Sequence, residues 1–193
     1  MSRNDTVLVV DDEREIVNLY ATWLRDEYDV RTVYGGAEAL ETLESTSIDV
    51  ALIDRLMPRM TGSELLQRIR ENGYDCRVSI VTAVEPDFDI IEMGFDEYPI
   101  KPVGREDVRD VVDRLVTRSA YDEQLRDFFA LASKRAALEA EKSRTELRAS
   151  DAYVELTGEF DRLQARIERT VERLRPRDFE VEMRRLDAPT LDD

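Results

Sequence analysis

The chain has 193 residues, with 44 acids against 28 bases and a formal net charge of −16, a balance that repels nucleic acid and anionic membrane at long range. It contains no histidine, which excludes Ser-His-Asp hydrolysis, His-ligated zinc and a phosphohistidine-carrier role, and its lone cysteine, Cys76, leaves no internal disulfide. The length admits one or two domains with a real core; no stretch reads as a signal peptide and no apolar run approaches the ~18 residues that span a bilayer, so a cytoplasmic, reducing setting is expected.

The first apolar run, Thr6–Val10, is mostly β-branched and reads as a strand buried on both faces. It leads straight into Asp11, Asp12 and Glu13. Three acids at the end of a core strand repel one another and resist desolvation. Glu13–Asp26 follows as a helix, with Ile16, Leu19, Tyr20, Trp23 and Leu24 on one face. Asp29–Tyr34 reads as a strand, Gly36–Ser45 as a helix, and Val50–Ile53 as a third strand ending in Asp54. Pro58 suits a helix start, which places the next helix at Pro58–Asn72. Val78–Thr82 is the fourth strand, and a short helix is expected near Asp87–Met93. Glu97–Ile100 is the fifth strand, closing on Lys101-Pro102, and Arg105–Arg118 is the last helix of the series. Repeated strand-then-helix units mean a five-stranded parallel sheet, doubly wound and covered on both faces. Ligands bind such sheets outside the carboxyl ends of the strands. Four of those ends carry complementary groups in order: an acid pair (Asp11, Asp12), an acid (Asp54), a hydroxyl (Thr82) and an ammonium (Lys101).

This pattern resembles the receiver domain of two-component response regulators, over about residues 5–118. The residues that carry the likeness are Asp11-Asp12, Asp54 with Met57-Pro58 and Gly62, Thr82-Ala83, Tyr98, and Lys101-Pro102. The resemblance implies a flavodoxin-like α/β fold and a phosphoacceptor site. Asp54 would take a phosphoryl group from a sensor histidine kinase, so the domain is not an enzyme in the ordinary sense. A carboxylate attacking phosphate needs its charge neutralised, and Mg²⁺ with hard oxygen ligands is the agent implied. Asp12 and Asp54 would bind it directly, Asp11 through water, and Leu56 through its carbonyl. Lys101, the Thr82 hydroxyl and the Ala83 amide would hold the phosphoryl oxygens. Thr82 and Tyr98 would form the switch. The crowded acids would thus be offset by a divalent cation and Lys101. The Thr82-to-Lys101 interval is about one helical turn shorter than in most receivers. The fourth crossover helix should therefore be short, which speaks against the dimer face common in the family. Leu56 and Val84 are apolar and would restrict water near the site, favouring a longer-lived phosphoaspartate.

The second half, 119–193, carries no strand pattern. Two helical runs are expected, Ser119–Arg148 and one from Ser150-Asp151 to about Leu174 before Pro176, with a loosely ordered tail beyond. The second run has a heptad stripe through Leu156, Phe160, Leu163 and Ile167, a candidate interaction seam. An antiparallel hairpin would bury both apolar stripes within one chain; a single long helix would bury them in a dimeric coiled coil. The hairpin is the favoured arrangement. This half resembles the HalX domain found behind receivers in halophilic archaea, and only Lys101, Lys134 and Lys142 among the bases are lysine, a composition similar to that of salt-loving archaea. The likeness implies architecture more than activity. Domains are thus expected at 1–118 and 119–193.

Arg162, Arg166, Arg169 and Arg173 recur at 4-3-4 spacing, a basic stripe that could meet nucleic-acid phosphates, but Asp161, Glu168 and Glu172 interleave with them. A solvated helix flank is favoured, and no helix-turn-helix pattern is evident. The leading expectation is a phosphorylation-controlled switch whose helical module binds a second copy or a downstream protein. The alternative is a DNA-binding transcriptional regulator acting through the C-terminal helices. A magnesium-dependent phosphohydrolase is set aside because residue 56 is leucine and not the second acid such enzymes carry.

Overall fold

The computed structural model describes residues 5–173. The chain divides into two compact units that meet between Ser119 and Ala120.

The first unit is a parallel sheet with strand order β2-β1-β3-β4. Its strands are β1 (Thr6–Val10), β2 (Asp29–Val33), β3 (Val50–Ile53) and β4 (Arg77–Ile80). Every residue of β1 and β3 is buried, as expected where helices cover both faces. On one face Leu8, Val10, Ala51, Ile53, Val78 and Ile80 pack on α2 (Gly36–Ser45) and α3 (Gly62–Glu71). On the other, Val7, Val9, Val50 and Leu52 pack on α1 (Arg14–Leu24) and on Val108, Val111, Val112 and Leu115 of α4 (Arg105–Glu141).

The expected fifth strand, Glu97–Ile100, is not a full strand. It meets β4 only through two isolated parallel bridges, Ser79 with Glu97 and Thr82 with Ile100. The rungs alternate until Pro99 interrupts them. Ile80 N donates to Glu97 O (2.9 Å), Thr82 N to Pro99 O (3.2 Å) and Lys101 N to Thr82 O (2.8 Å). The rung that residue 99 would donate is missing because proline has no N–H. Side chains compensate in part. Asp96 accepts from Val78 N (2.8 Å) and Arg77 (2.7 Å), and Glu97 forms a two-point pair with Arg114 (2.8 and 2.6 Å). The peptide between Lys101 and Pro102 is cis.

Two other elements differ from the sequence reading. The helix placed at Pro58 begins at Gly62. Thr61 caps it, accepting from Glu64 N, while Glu64 returns a bond to Thr61 N, a full capping box. The preceding loop turns through Arg59 at φ 70°, which a helix start cannot contain. The short fourth crossover is a single 3-10 helix, Phe88–Glu92, in line with the short interval.

In the second unit, α4 does not end at Arg118 but runs on to Glu141 through a stretch rich in helix formers. It stops before Ser143, which opens α5 (Arg144–Arg148) with a second capping box to Glu146. After the turn, α6 covers Asp151–Arg173. The α6 partners of α4 run backwards: Tyr153 donates to Glu139 (2.7 Å), Phe160 stacks on Phe128 (4.6 Å between centroids), and Thr170 bonds Gln124 (3.2 Å). The helices therefore form the antiparallel hairpin. Leu131, Phe160 and Leu163 are its buried core, with Phe128, Ala132, Leu156 and Ile167 packed around them. The Leu156–Phe160–Leu163–Ile167 stripe is thus occupied within the chain, packed with Phe128, Leu131 and Ala132 of α4. The expected tail beyond residue 173, with Leu174 and Pro176, lies outside the described residues.

Candidate functional site

The carboxyl ends of β1 and β3 lie side by side, with Val10 opposite Ile53. Asp11 and Asp54 therefore emerge as neighbours, and Asp54 N donates to Val10 O (2.8 Å). Both carboxylates are buried, at 3% and 8% exposure. Asp12, on the alternate side, is exposed. The edge segment delivers Lys101 between the two acids. Its Nζ donates to Asp11 Oδ2 and to Asp54 Oδ1, each at 2.8 Å. The remaining oxygens are also used: Leu56 N donates to Asp54 Oδ2 (2.6 Å) and Glu13 N to Asp11 Oδ1 (2.9 Å).

These contacts account for the acid crowding of the sequence. One ammonium serves two buried carboxylates. Burial works against the ammonium, but its bonds to Asp11 and Asp54 outweigh that and hold its pKa above the ordinary lysine value. Burial also pushes the Asp54 carboxyl above its ordinary range; Lys101 opposes this and the nearby Asp11 adds to it.

Thr82 is buried, and its Oγ1 accepts from Val84 N (3.3 Å). The Ala83 residue is exposed beside it. Tyr98 is half-buried, packs on Phe95 at 5.3 Å, and donates to Val84 O (3.2 Å). Leu56 presents its backbone to Asp54 and leaves its side chain 63% exposed. Gly62 is required by close approach: a Cβ there would stand 2.2 Å from Asp54 O and 2.9 Å from Arg55 Cα. The sequence reading set Lys101 against the crowded acids as a group, and the structure shows which two it bonds, Asp11 and Asp54. The sequence reading missed Arg55, which bonds the Tyr98 hydroxyl (2.9 Å) and pairs with Asp89. Neither set of contacts can be read from a sequence, because both depend on which loops meet.

The donor chemistry, hard carboxylate oxygens at a strand end, suits Mg²⁺. Among the described residues, however, no three acid side chains are gathered within reach of one metal ion. Lys101 lies between Asp11 and Asp54, and Asp12 is exposed. No helix among the described residues is long and apolar enough to cross a membrane.

On α6, Arg162, Arg166 and Arg169 are exposed, and no ion pair ties them to a described residue. The Arg173 side chain lies outside the described residues.

Comparison with known proteins agrees with this architecture. A protein of Haloferax volcanii named "Putative transcriptional regulator" is 44% identical over 166 residues, 86% of this chain and 28% of that protein. The alkaline phosphatase synthesis transcriptional regulatory protein PhoP of Bacillus subtilis is 34% identical over 60% of this chain and 50% of its own. The chain therefore spans half or less of these relatives. Among solved structures, the response regulator TrrA of Thermotoga maritima in complex with Mg(2+)-BeF is 30% identical, with a TM-score of 0.53 over 57% of this chain and 98% of that one. The receiver domain of the Francisella response regulator 1452 is also 30% identical, with a TM-score of 0.57 over 60% and 99%. The response regulator receiver domain matches residues 7–113 and the HalX domain residues 117–183. With this sheet, these strand-end groups and these matches, the chain belongs to the response regulator receiver family and carries a HalX domain after its receiver.

Proposed function

We propose that this protein is the response regulator of a two-component phosphorelay, in which Asp54 is the phosphoacceptor and the HalX hairpin is the output. The carrying observation is the Lys101 ammonium shared at 2.8 Å by two buried carboxylates at adjacent strand ends. An Asp54 oxygen attacks the phosphorus of a kinase phosphohistidine. The P–N bond breaks, its electron pair stays on the ring nitrogen, which takes a proton from solvent to leave as neutral imidazole, and an acyl phosphate remains on Asp54. Mg²⁺, when bound by the Asp12 and Asp54 carboxylates and the Leu56 carbonyl with Asp11 behind it, would supply positive charge against the phosphoryl oxygens. Lys101 holds Asp54 in line and then pairs with a phosphoryl oxygen. The Thr82 hydroxyl and Ala83 N–H would bind another. Thr82, on moving, would leave space for Tyr98, so the two form the switch. The domains are read as 1–118 and 119–193. Val84, half-buried beside Thr82, would slow hydrolysis by limiting water, whereas the expected part of Leu56 is not supported, since that residue is 63% exposed.

Beryllofluoride with Mg²⁺ tests this reading as a phosphoryl mimic. Tyr20 borders the same small interior space as Asp11 and Asp54 and stacks on Trp23 at 5.5 Å, so Trp23 fluorescence should respond. The response should vanish in Asp54→Asn; an unchanged response in that variant overturns the assignment.

For the output, we favour a protein partner or a second copy of the chain. The exposed arginines of α6 support a second reading, DNA binding through Arg162, Arg166 and Arg169, with Arg173 extending the row. Arg166→Glu should abolish salt-sensitive duplex binding if this second reading holds.

A further inference from the structure

The Tyr98 hydroxyl sits at the centre of a connected set of bonds. It donates to Val84 O (3.2 Å) and accepts from Arg55 Nη1 (2.9 Å). Arg55 Nη2 pairs with Asp89, inside the 3-10 helix Phe88–Glu92. Val84 N in turn donates to Thr82 Oγ1 (3.3 Å). A single guanidinium, on the residue after Asp54, therefore ties together three segments: the Thr82–Val84 turn, the 3-10 helix and the edge segment. Its own backbone is fixed, since Gly62 N donates to Arg55 O (2.8 Å), and its side chain is only 14% exposed. This is more than a surface ion pair of the kind that contributes little, because one arm of the fork reaches a half-buried hydroxyl.

We propose that Arg55 is a positioning residue that, through Tyr98 and Asp89, latches the Thr82–Val84 turn in an arrangement that withholds the Thr82 hydroxyl from a phosphoryl group on Asp54. The inference rests on Asp54 being the phosphoacceptor. The sign follows from the bonds. Thr82 Oγ1 accepts from Val84 N, which holds the side chain where it stands while its O–H remains a donor, and Val84 O is held by Tyr98, which Arg55 holds in turn. For Thr82 to move toward a phosphoryl oxygen on Asp54, as the proposed switch requires, Oγ1 must leave Val84 N and this turn must open. The charge-assisted bond that the Thr82 O–H donates to that oxygen is stronger than the long bond that Oγ1 accepts from Val84 N and loses on moving, which drives the opening. Arg55 opposes it, so the binding-competent arrangement is a minority state whose fraction lowers the apparent affinity.

The test is a titration of the full chain with beryllofluoride at fixed Mg²⁺, together with hydrogen exchange at residues 88–92. Arg55→Ala should tighten mimic binding by about two- to tenfold, the factor by which a latch of this kind shifts the equilibrium. Exchange at 88–92 without mimic should rise toward the level the native chain reaches with it. Arg55→Lys, with a point charge in place of a fork, cannot serve both partners and should fall between. Asp89→Asn, at an exposed position, should tighten binding in the same direction without endangering the fold, and the double variant should exceed Arg55→Ala by little. Unchanged or weaker binding in Arg55→Ala overturns the latch. Should Arg55→Ala unfold, weaker or unchanged binding in Asp89→Asn overturns it instead. Asp54→Asn separates the two readings. If Asp54→Asn abolishes the response while Arg55→Ala binds as the native chain does, only the latch fails. If Asp54→Asn still responds, the phosphoacceptor reading fails, whatever Arg55 does.

Discussion

Gly62→Ala places one methyl group where the structure has no room for it. The new Cβ would lie 2.2 Å from Asp54 O, 2.9 Å from Arg55 Cα and 3.0 Å from Asp54 C. All three are backbone atoms, so no side chain can swing away. Relief requires roughly 1 Å of separation between the start of α3 and the end of β3, since ordinary carbon contacts lie near 3.5 Å. β3 is locked between β1 and β4, so α3 is the element that moves. Its displacement breaks the Gly62 N to Arg55 O bond and strains the Thr61–Glu64 capping box. Overpacking costs about 1–3 kcal/mol and a lost cap about 1 kcal/mol, for a total of roughly 2–4 kcal/mol. At about 4–8 °C per kcal/mol for a unit of this size, the receiver transition should fall by roughly 8–32 °C. Calorimetry measures this directly. The beryllofluoride response should weaken with it, because the loop carrying Asp54 no longer matches Lys101. A melting temperature within about 2 °C of the native chain would refute the close-approach argument, since two backbones cannot absorb that overlap at no cost.

Lys101→Met should cost about 3–5 kcal/mol at pH 7, measured by urea unfolding, because it strands two buried carboxylates without their cation. The raised Lys101 pKa means its contribution is fully present below about pH 10.5, the ordinary lysine value, and fades as pH rises above it. Asp54→Asn should raise stability at neutral pH. The Asp54 pKa is raised, so the native residue's penalty is absent at low pH and grows as pH rises through the ordinary value of about 3.8; the variant's advantage should disappear in melts below that pH. Mg²⁺ should stabilise the receiver at constant KCl, by about 2.7 kcal/mol at a hundred times its dissociation constant, seen as a higher melting point, and Asp12→Ala should remove the gain. Phe160→Ala deletes the ring that packs on Phe128 and lies under Arg135 at 4.4 Å. It should cost about 3–5 kcal/mol, enough to open a hairpin whose core cluster among the described residues is Leu131, Phe160 and Leu163, while the receiver stays folded, as read by hydrogen exchange.

The central strands were legible because Thr6–Val10 and Val50–Ile53 are short, apolar and bounded by acids, and burial on both faces leaves such runs no other use. The strand-end groups were legible for a related reason: a parallel sheet sends every carboxyl end to one edge. Pro58 misled because a proline fits a helix start, whereas the stronger signal lay at Thr61 with Glu64 three residues on, the two halves of a capping box. Ser143 with Glu146 is the same signal, and it marks the break that ends α4. Arg118 carried no such signal, since helix formers continue through it. Pro99 shows the limit of apolar patterning: Glu97–Ile100 has a strand's composition but cannot supply a strand's bonds. Arg55 could not be read at all, because its meaning depends on Tyr98 and Asp89, 43 and 34 residues away.

The missing rung at Pro99 also grades the sheet mechanically. β1 and β3 are clamped on both sides and buried on both faces, while the strip from Glu97 to Lys101 hangs on one side with a gap in its middle. Each backbone bond is worth about 1 kcal/mol net, so this strip yields at a smaller load than any other part of the sheet. Tyr98 and Lys101 lie on either side of the gap. The rigid centre fixes where Asp54 stands, and the compliant margin lets the residues that answer it shift by small distances without disturbing β4.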